Sequence, residues 1–192
     1  SEIAYRRFSP ALKESAVDFQ FVGIGIASAE EWYGKGASFN EDANKARVDK
    51  ERDKAQTFID FFGNGMIYDS YESLVTSDDV DAVYLPLPPA LHYKWAKLSL
   101  EHGKHVFVEK PSTTAAADTA ELIKIANSKG LAFHENYMFM FHNQLTSIRN
   151  IISEGKIGKV RMYRISFGFP YANVLPRFKT IIFLHNSITT SK

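Results

Sequence analysis

Residues 81–111 read DAVYLPLPPALHYKWAKLSLEHGKHVFVEKP, and the fold is decided there. Ala82-Val83-Tyr84-Leu85 is a short apolar run of the kind a strand buried on both faces shows, and it stops at Pro86-Leu87-Pro88-Pro89. A helix is predicted over His92–His102, with Trp95, Leu98 and Leu100 as its apolar contribution and Gly103 closing it. His105-Val106-Phe107-Val108 is a second buried run, ending abruptly at Glu109-Lys110-Pro111. Ser112, Thr113 and Thr114 offer N-caps for a helix over 115–129, with Gly130 just beyond it, and Leu131-Ala132-Phe133 reads as another strand. Strand–helix–strand alternation with short joints predicts parallel strands covered by helices. The class is α/β, a doubly wound parallel sheet.

Working outward, Ser1–Lys13 has helical spacing interrupted by Pro10, and Phe19–Ala27 is an apolar run that predicts a buried strand. Residues 41–62 predict a long helix, docking through Phe58, Ile59, Phe61 and Phe62 and stopped by Gly63. The charge cluster at 40–55 reads as its solvated face. Met66–Tyr68 follows as a strand and Tyr71–Val75 as a short helix. After about residue 135 the character changes. Phe141, Leu145, Ile148, Ile151 and Ile152 mark one amphipathic helix ended by Gly155. Arg161, Tyr163, Ile165, Phe167 and Phe169 then alternate with Met162, Arg164, Ser166 and Gly168, the period of an antiparallel strand with one apolar face. We therefore expect a first domain over 1–135 and, over 136–192, the beginning of an α+β domain. No internal repeat or low-complexity segment is present.

The 192 residues are 45% hydrophobic and 14% aromatic, enough for one good core or one domain and part of another. Lys and Arg number 23 against 22 Asp and Glu, so the net charge of +1 lacks the positive excess that nucleic acid or a membrane surface requires. No apolar run approaches the roughly 18 residues that span a bilayer. The absence of cysteine excludes disulfide scaffolds, cysteine-ligated zinc and thiol catalysis, and it fits a cytoplasmic protein. Ser1-Glu2-Ile3-Ala4 has neither the basic nor the apolar region of a signal peptide and runs straight into a helix, which reads as a beginning cut from something longer.

In an open parallel sheet, ligands bind at the carboxyl ends of the strands, and three such ends carry unusual residues. Gly23-Ile24-Gly25-Ile26-Ala27-Ser28 has the outline of a G-x-G-x-x-G phosphate loop with Ser28 in place of the third glycine. The alternative, glycines that let a helix approach a strand closely, fits Ile24 and Ile26 better. Leu85-Pro86-Leu87-Pro88, with His92 beyond, is either a stiffened turn facing a crevice or a rigid joint with a structural histidine. Glu109-Lys110 must be partly desolvated, so the two charges satisfy each other or a ligand. A lysine so placed is either a proton donor near neutral pH or half of an ordinary ion pair.

The 81–111 stretch, with HENYMFMFHNQ (134–144) and ISEGKIGKVRMYRISFGFP (152–170), resembles the Gfo/Idh/MocA family, relatives of glucose–fructose oxidoreductase and inositol dehydrogenase; similarity over 1–27 is weaker. The resemblance implies a Rossmann-type domain and an oxidoreductase. Such an enzyme uses NAD or NADP to move hydride to or from a sugar, sugar nucleotide, inositol or related diol, with no metal. It implies that Lys110 is the active-site lysine, polarising or protonating the carbonyl oxygen. It places Glu109 and Pro111 at the nicotinamide site, with a cis Lys110–Pro111 bond, and lays Leu85, Pro86, Leu87, Pro88 and His92 along the cofactor. Glu135 and Asn136 fall where relatives meet the nicotinamide, and Tyr137 where they meet substrate. Ser28 and Ala29 match the end of the strand that reads the adenosine ribose. Ala29 stands where relatives that prefer NADP often have Arg, and Glu30 is placed to accept from a ribose hydroxyl, which leans the expectation toward NAD.

The departures matter as well. Family members begin with a strand and a glycine-rich loop, and this chain reads as starting past both; that strand is central, so its neighbours are expected to have unpaired edges. Residues 30–50 look like an insertion, and Met140 stands where many relatives have Arg. Phe178–His185 lacks the family's glycines and Asp, and His185 is a poor stand-in for the usual histidine. The chain thus reads as truncated at both ends. The remainder of the second domain would supply the substrate wall and a homo-oligomer sheet, with Phe167 and Phe169 on its exposed face. Two other readings stand beside the enzyme. One is a non-catalytic remnant or binding module of the same fold. The other is a self-contained α/β domain whose Gly23–Ser28 segment is the true phosphate site.

Overall fold

Among the described residues there are five short strands, all paired in parallel. β1 (Gly23–Gly25) pairs with β2 (Met66–Tyr68), placing Ile24 opposite Ile67. β3 (Ala82–Leu85), β4 (His105–Glu109) and β5 (Phe133–Asn136) form a second sheet in that order, with Val83 opposite Val106 and Glu109 opposite Asn136. The computed structural model describes residues 3–15, 18–34 and 40–166, and the chain divides into two compact units, Ser1–Tyr137 and Met138–Lys192.

Helices cover both faces of the second sheet. Val83, Leu85, Val106 and Val108 join a core with Trp95, Ala96 and Leu100 of α5 (Pro89–Glu101) and Leu122 and Ala126 of α6 (Ala116–Lys129). Period-two alternation sends Tyr84 and Phe107 to the other face. There Phe8, just before α1 (Ser9–Glu14), stacks on Tyr84 with ring centres 3.8 Å apart and on Phe107 at 5.7 Å. Pro10 does not interrupt the N-terminal helix as expected. It sits in the first turn of α1, where a missing N–H costs little, after a π-helical turn over Ala4–Phe8.

The predicted cap of α6 differs. Its N-cap is Ala115, with no side-chain bond, because Thr113 Oγ1 instead donates to the Ala115 carbonyl at 2.7 Å and accepts from Ala115 N at 3.3 Å. β5 also begins two residues later than the apolar Leu131–Phe133 run: Leu131 N closes α6 by donating to Ala126 O.

The first sheet is held from one side by α3 (Glu41–Phe62), which Asn40 caps through Ala43 N and Gly63 ends at φ 79°. Phe62 stacks on Phe21 at 4.2 Å. On α3, residues 44, 47, 48, 51, 55, 58 and 59 are partly or fully buried while 45, 46, 49, 50, 52–54, 56 and 57 are exposed. The helix period therefore divides the 40–55 charge cluster, and Arg47 lies on its inward stripe, which corrects the reading of that whole cluster as solvated.

β1 is shorter than the apolar run Phe19–Ala27 promised, and its glycines form a strand, not a phosphate loop. A Cβ on Gly23 would lie 2.4 Å from the Met66 carbonyl oxygen and 2.9 Å from the Tyr68 ring, so only glycine lets β1 and β2 meet there. Gly23→Ala is expected to destabilise the unit by about 1–3 kcal/mol, read as a lower urea midpoint. An unchanged midpoint would show that the strands separate freely.

Among the described residues, β1 pairs only with β2 and β3 only with β4, which leaves an unpaired edge on each. A cleft of about 760 Å³ is lined by Val22, Ile24, Val83, Leu85 and Trp95 among others and reaches Pro86 and Leu87.

In the second unit a 3-10 turn (Met138–Phe141) leads to α7 (Asn143–Ser153), whose first turn His142 caps by accepting from Gln144 N. Residues 161–166 form no strand. A strand exists only where its N–H and C=O groups find a partner chain, and none of the described residues supplies one. Phe167, Gly168, Phe169 and Phe178–His185 lie outside the described residues.

Candidate functional site at the carboxyl ends of the strands

β3, β4 and β5 run in parallel, so their carboxyl ends bring together the proline turn, the Glu109-Lys110-Pro111 turn and Asn136-Tyr137. Glu109 closes β4 and is only 8% exposed. One of its oxygens, Oε1, accepts from the Tyr84 hydroxyl at 2.7 Å and from Asn136 Nδ2 at 2.7 Å. Those two bonds meet the cost of burying the carboxylate without help from its neighbour in sequence. Lys110 is exposed, and among the described residues no carboxylate or carbonyl engages it. Of the two readings open from sequence, the ordinary Glu109–Lys110 ion pair is not formed. Lys110–Pro111 is a cis peptide bond, as the resemblance implied.

His92 is completely buried. Its Nδ1 lies 2.8 Å from the Pro111 carbonyl oxygen and its Nε2 2.7 Å from that of Leu87. Each ring nitrogen thus faces a backbone carbonyl, one on each turn; the nitrogen that carries the proton donates, and the imidazole fills the space between the proline turn and the cis-proline turn as a brace. Beside it, Glu135 Oε1 accepts from Ser112 N at 2.6 Å, which fixes the chain after Pro111 to β5. Leu85 is buried, Pro86 and Leu87 are partly covered, and Pro88, Pro111 and Tyr137 are exposed. An open hollow of about 480 Å³ adjoins the site, lined by Pro111, Ser112, Thr113 and Glu135 among others.

Ser28 and Ala29 belong to the other sheet, beyond the end of β1. Ser28 caps α2 (Ala29–Tyr33): its Oγ accepts from Glu31 N at 3.2 Å, and its own N donates to Glu31 Oε2 at 2.8 Å. The Glu31 carboxylate also accepts from Tyr71 N at 3.0 Å and Glu72 N at 2.9 Å, joining α2 to α4 (Tyr71–Val75). Glu31 is therefore an acid with a structural task at this strand end, which the sequence did not single out. Tyr84 and Ser112 were also missed, since their roles depend on cross-strand register.

Burial first, then the bond to the Glu109 carboxylate, holds the Tyr84 phenol well above the usual tyrosine range. A group with a raised folded-state pKa stabilises the fold fully below the unfolded value, about 10 for tyrosine, and that contribution is lost as pH rises toward the folded one. Stability measured by urea unfolding should fall above about pH 10, and Tyr84→Phe should flatten that fall. An identical alkaline profile in the variant would show that Tyr84 is not responsible.

Parallel strands covered by helices, with a lysine, a cis-proline turn and a braced proline turn at their carboxyl ends, define an α/β protein of Rossmann type. The chain belongs to the Gfo/Idh/MocA oxidoreductase family with the NAD-binding Rossmann fold, whose sequence profile matches residues 17–137. It is 42% identical over 125 residues to a dTDP-3,4-didehydro-2,6-dideoxy-alpha-D-glucose 3-reductase of Streptomyces violaceoruber, covering 65% of this chain and 36% of that protein. It is 35% identical over 147 residues to D-xylose 1-dehydrogenase (NADP(+)) 2 of Haloferax volcanii, covering 77% of this chain and 44% of that one. Among solved structures it is similar to a 3-ketoreductase from Actinomadura kijaniata in complex with TDP-benzene and NADP. That match has a TM-score of 0.63 and 35% identity, over 84% of this chain and 43% of the other. The chain thus spans less than half the length of these relatives. No described helix is long and apolar enough to cross a membrane.

Proposed function

We propose that this chain carries the cofactor side of an NAD(P)-dependent oxidoreductase acting on a hydroxyl or carbonyl carbon of a sugar, with a sugar nucleotide as the favoured substrate class. The observation that carries the reading is Lys110. Its ammonium is exposed and unengaged among the described residues, on a turn held by His92 and next to a glutamate satisfied elsewhere. Reduced nicotinamide, when bound, supplies the hydride. Lys110 holds and delivers the proton at the carbonyl oxygen, and withdraws it in the reverse direction. His92 keeps Leu87 and Pro111 at a fixed separation, so that the two turns that would hold the nicotinamide do not shift. Glu109 orients Asn136 and Tyr84, and Tyr137, exposed just after β5, is the residue we assign to substrate contact. The sugar-nucleotide preference rests on the relatives' activities.

The test is oxidation of NADH and NADPH, followed by absorbance, with a panel of keto sugars and dTDP-linked keto sugars. Turnover that requires a sugar carbonyl supports the proposal. Saturable cofactor binding without turnover on any member would favour the non-catalytic binding module.

A further inference from the structure

The two sheets turn unpaired backbone into one cleft. In a parallel pair, alternate residues of a strand bond to one neighbour, and the residues between them face the other way. Met66 N donates to Val22 O and Ile26 N to Tyr68 O, both at 3.0 Å. Val22, Ile24 and Ile26 therefore serve β2, and the N–H and C=O of Gly23 and Gly25 point away from it. His105 N donates to Asp81 O at 2.9 Å, so Asp81, Val83 and Leu85 serve β4, and the N–H and C=O of Ala82 and Tyr84 point away from that strand. Every residue from Asp18 to Ile26 and from Asp79 to Leu87 lines the cleft. One face of a strand would show only every second residue, so a strand that lines a cavity without a break presents its hydrogen-bonding edge to it.

The cleft has the size and chemistry of a single strand. Five residues of strand, at about 4.8 Å spacing, about 10 Å through the sheet and about 3.3 Å per residue, fill roughly 800 Å³. The cleft measures about 760 Å³. Trp95, packed with Val83 and Leu85, lines one side and Phe8, stacked on Tyr84, the other. An occupant is therefore apolar on both faces, as a strand inside a parallel sheet is. Asp18, Asp79 and Asp81 line the cleft at the amino-terminal ends of β1 and β3, where a parallel occupant begins, and their carboxylates favour a basic residue there. The backbone groups of the two edges need hydrogen-bonding partners once water is displaced. An extended peptide supplies them, whereas a lipid or other apolar ligand offers them nothing.

We infer that this cleft is a docking site for an extended segment of a separate polypeptide, a basic residue followed by about five uncharged apolar ones. The segment lies parallel to its neighbours, bonds alternately to Gly23 and Gly25 on one side and to Ala82 and Tyr84 on the other, and joins the two sheets into one. The inference rests on backbone pairing and is independent of the cofactor reading.

The probe is a fluorescein-labelled synthetic peptide, RKVIVAVS, titrated into the 192-residue chain and followed by anisotropy. Beside it runs the same peptide N-methylated on alternate residues, which keeps every side chain and removes each N–H it could offer to one of the two edges. Saturable binding of RKVIVAVS is expected, at least about tenfold tighter than that of the methylated peptide, the effect of two or more backbone bonds. The amides of Gly23, Gly25, Ala82 and Tyr84 should exchange quickly in the free chain and at least about tenfold more slowly with the peptide bound. Ala82→Pro removes an N–H that no β4 carbonyl uses, so the melting temperature should hold while peptide binding weakens about two- to tenfold. Whether or not that variant folds, exchange in the parent chain decides. Equal binding of the two peptides would make the cleft an apolar pocket without backbone recognition and overturn the inference. Slow exchange at Gly23 and Ala82 in the free chain would overturn it too, because residues of the chain itself would then fill the slot. A folded chain that binds neither peptide does the same.

Discussion

Lys110→Met is expected to lower turnover about 10²–10⁴-fold, the range a positioned proton donor contributes, while shifting cofactor affinity by less than about threefold. Methionine keeps the length and the apolar stem of the side chain and removes only the ammonium. Because Lys110 makes no bond to a described residue, its loss leaves no buried partner unsatisfied, and the Glu109–Tyr84–Asn136 cluster stays intact. Stability should therefore hold while chemistry fails. Steady-state kinetics beside a direct cofactor titration separates the two. Equal losses in turnover and affinity, or a fallen melting temperature, would mean that the lysine holds structure.

His92→Ala has the opposite signature. It removes the brace from two backbone carbonyls and opens a cavity where a fully buried ring stood, which should cost about 2–5 kcal/mol. Cofactor affinity should drop together with stability, because the Leu87 and Pro111 turns lose their mutual reference. His92→Gln can donate to one carbonyl and should recover part of both losses. Chemical denaturation with a parallel cofactor titration checks this. A variant as stable as the parent, with weaker binding only, would instead make His92 a direct cofactor contact.

What was legible in the sequence depended on whether the governing contacts were local. Met66–Tyr68, Tyr71–Val75 and Ala82–Leu85 form where the sequence placed them, and α3 ends at Gly63, because apolar period, capping and a left-handed glycine act within a few residues. Lys110, Glu109 and His92 stood out for the same reason: charge or a ring at the end of a buried run is visible along the chain. Tyr84 was not visible as a partner of Glu109, because that bond crosses between strands and depends on the register of β3 against β4. Arg47 was hidden inside a run of charges whose inward stripe appears only once the helix is docked. Thr113 looked like a helix cap and became a turn hydroxyl, since the capping position fell to Ala115.

The central claim is that the strand ends carrying the proline turn and Lys110 form a nicotinamide dinucleotide site. Fluorescence titration of the 192-residue chain with NADPH and NADH tests it most directly, with circular dichroism recording that the chain is folded. The account predicts saturable micromolar binding, weakened by His92→Ala and little changed by Lys110→Met. A folded chain that binds neither dinucleotide would contradict it.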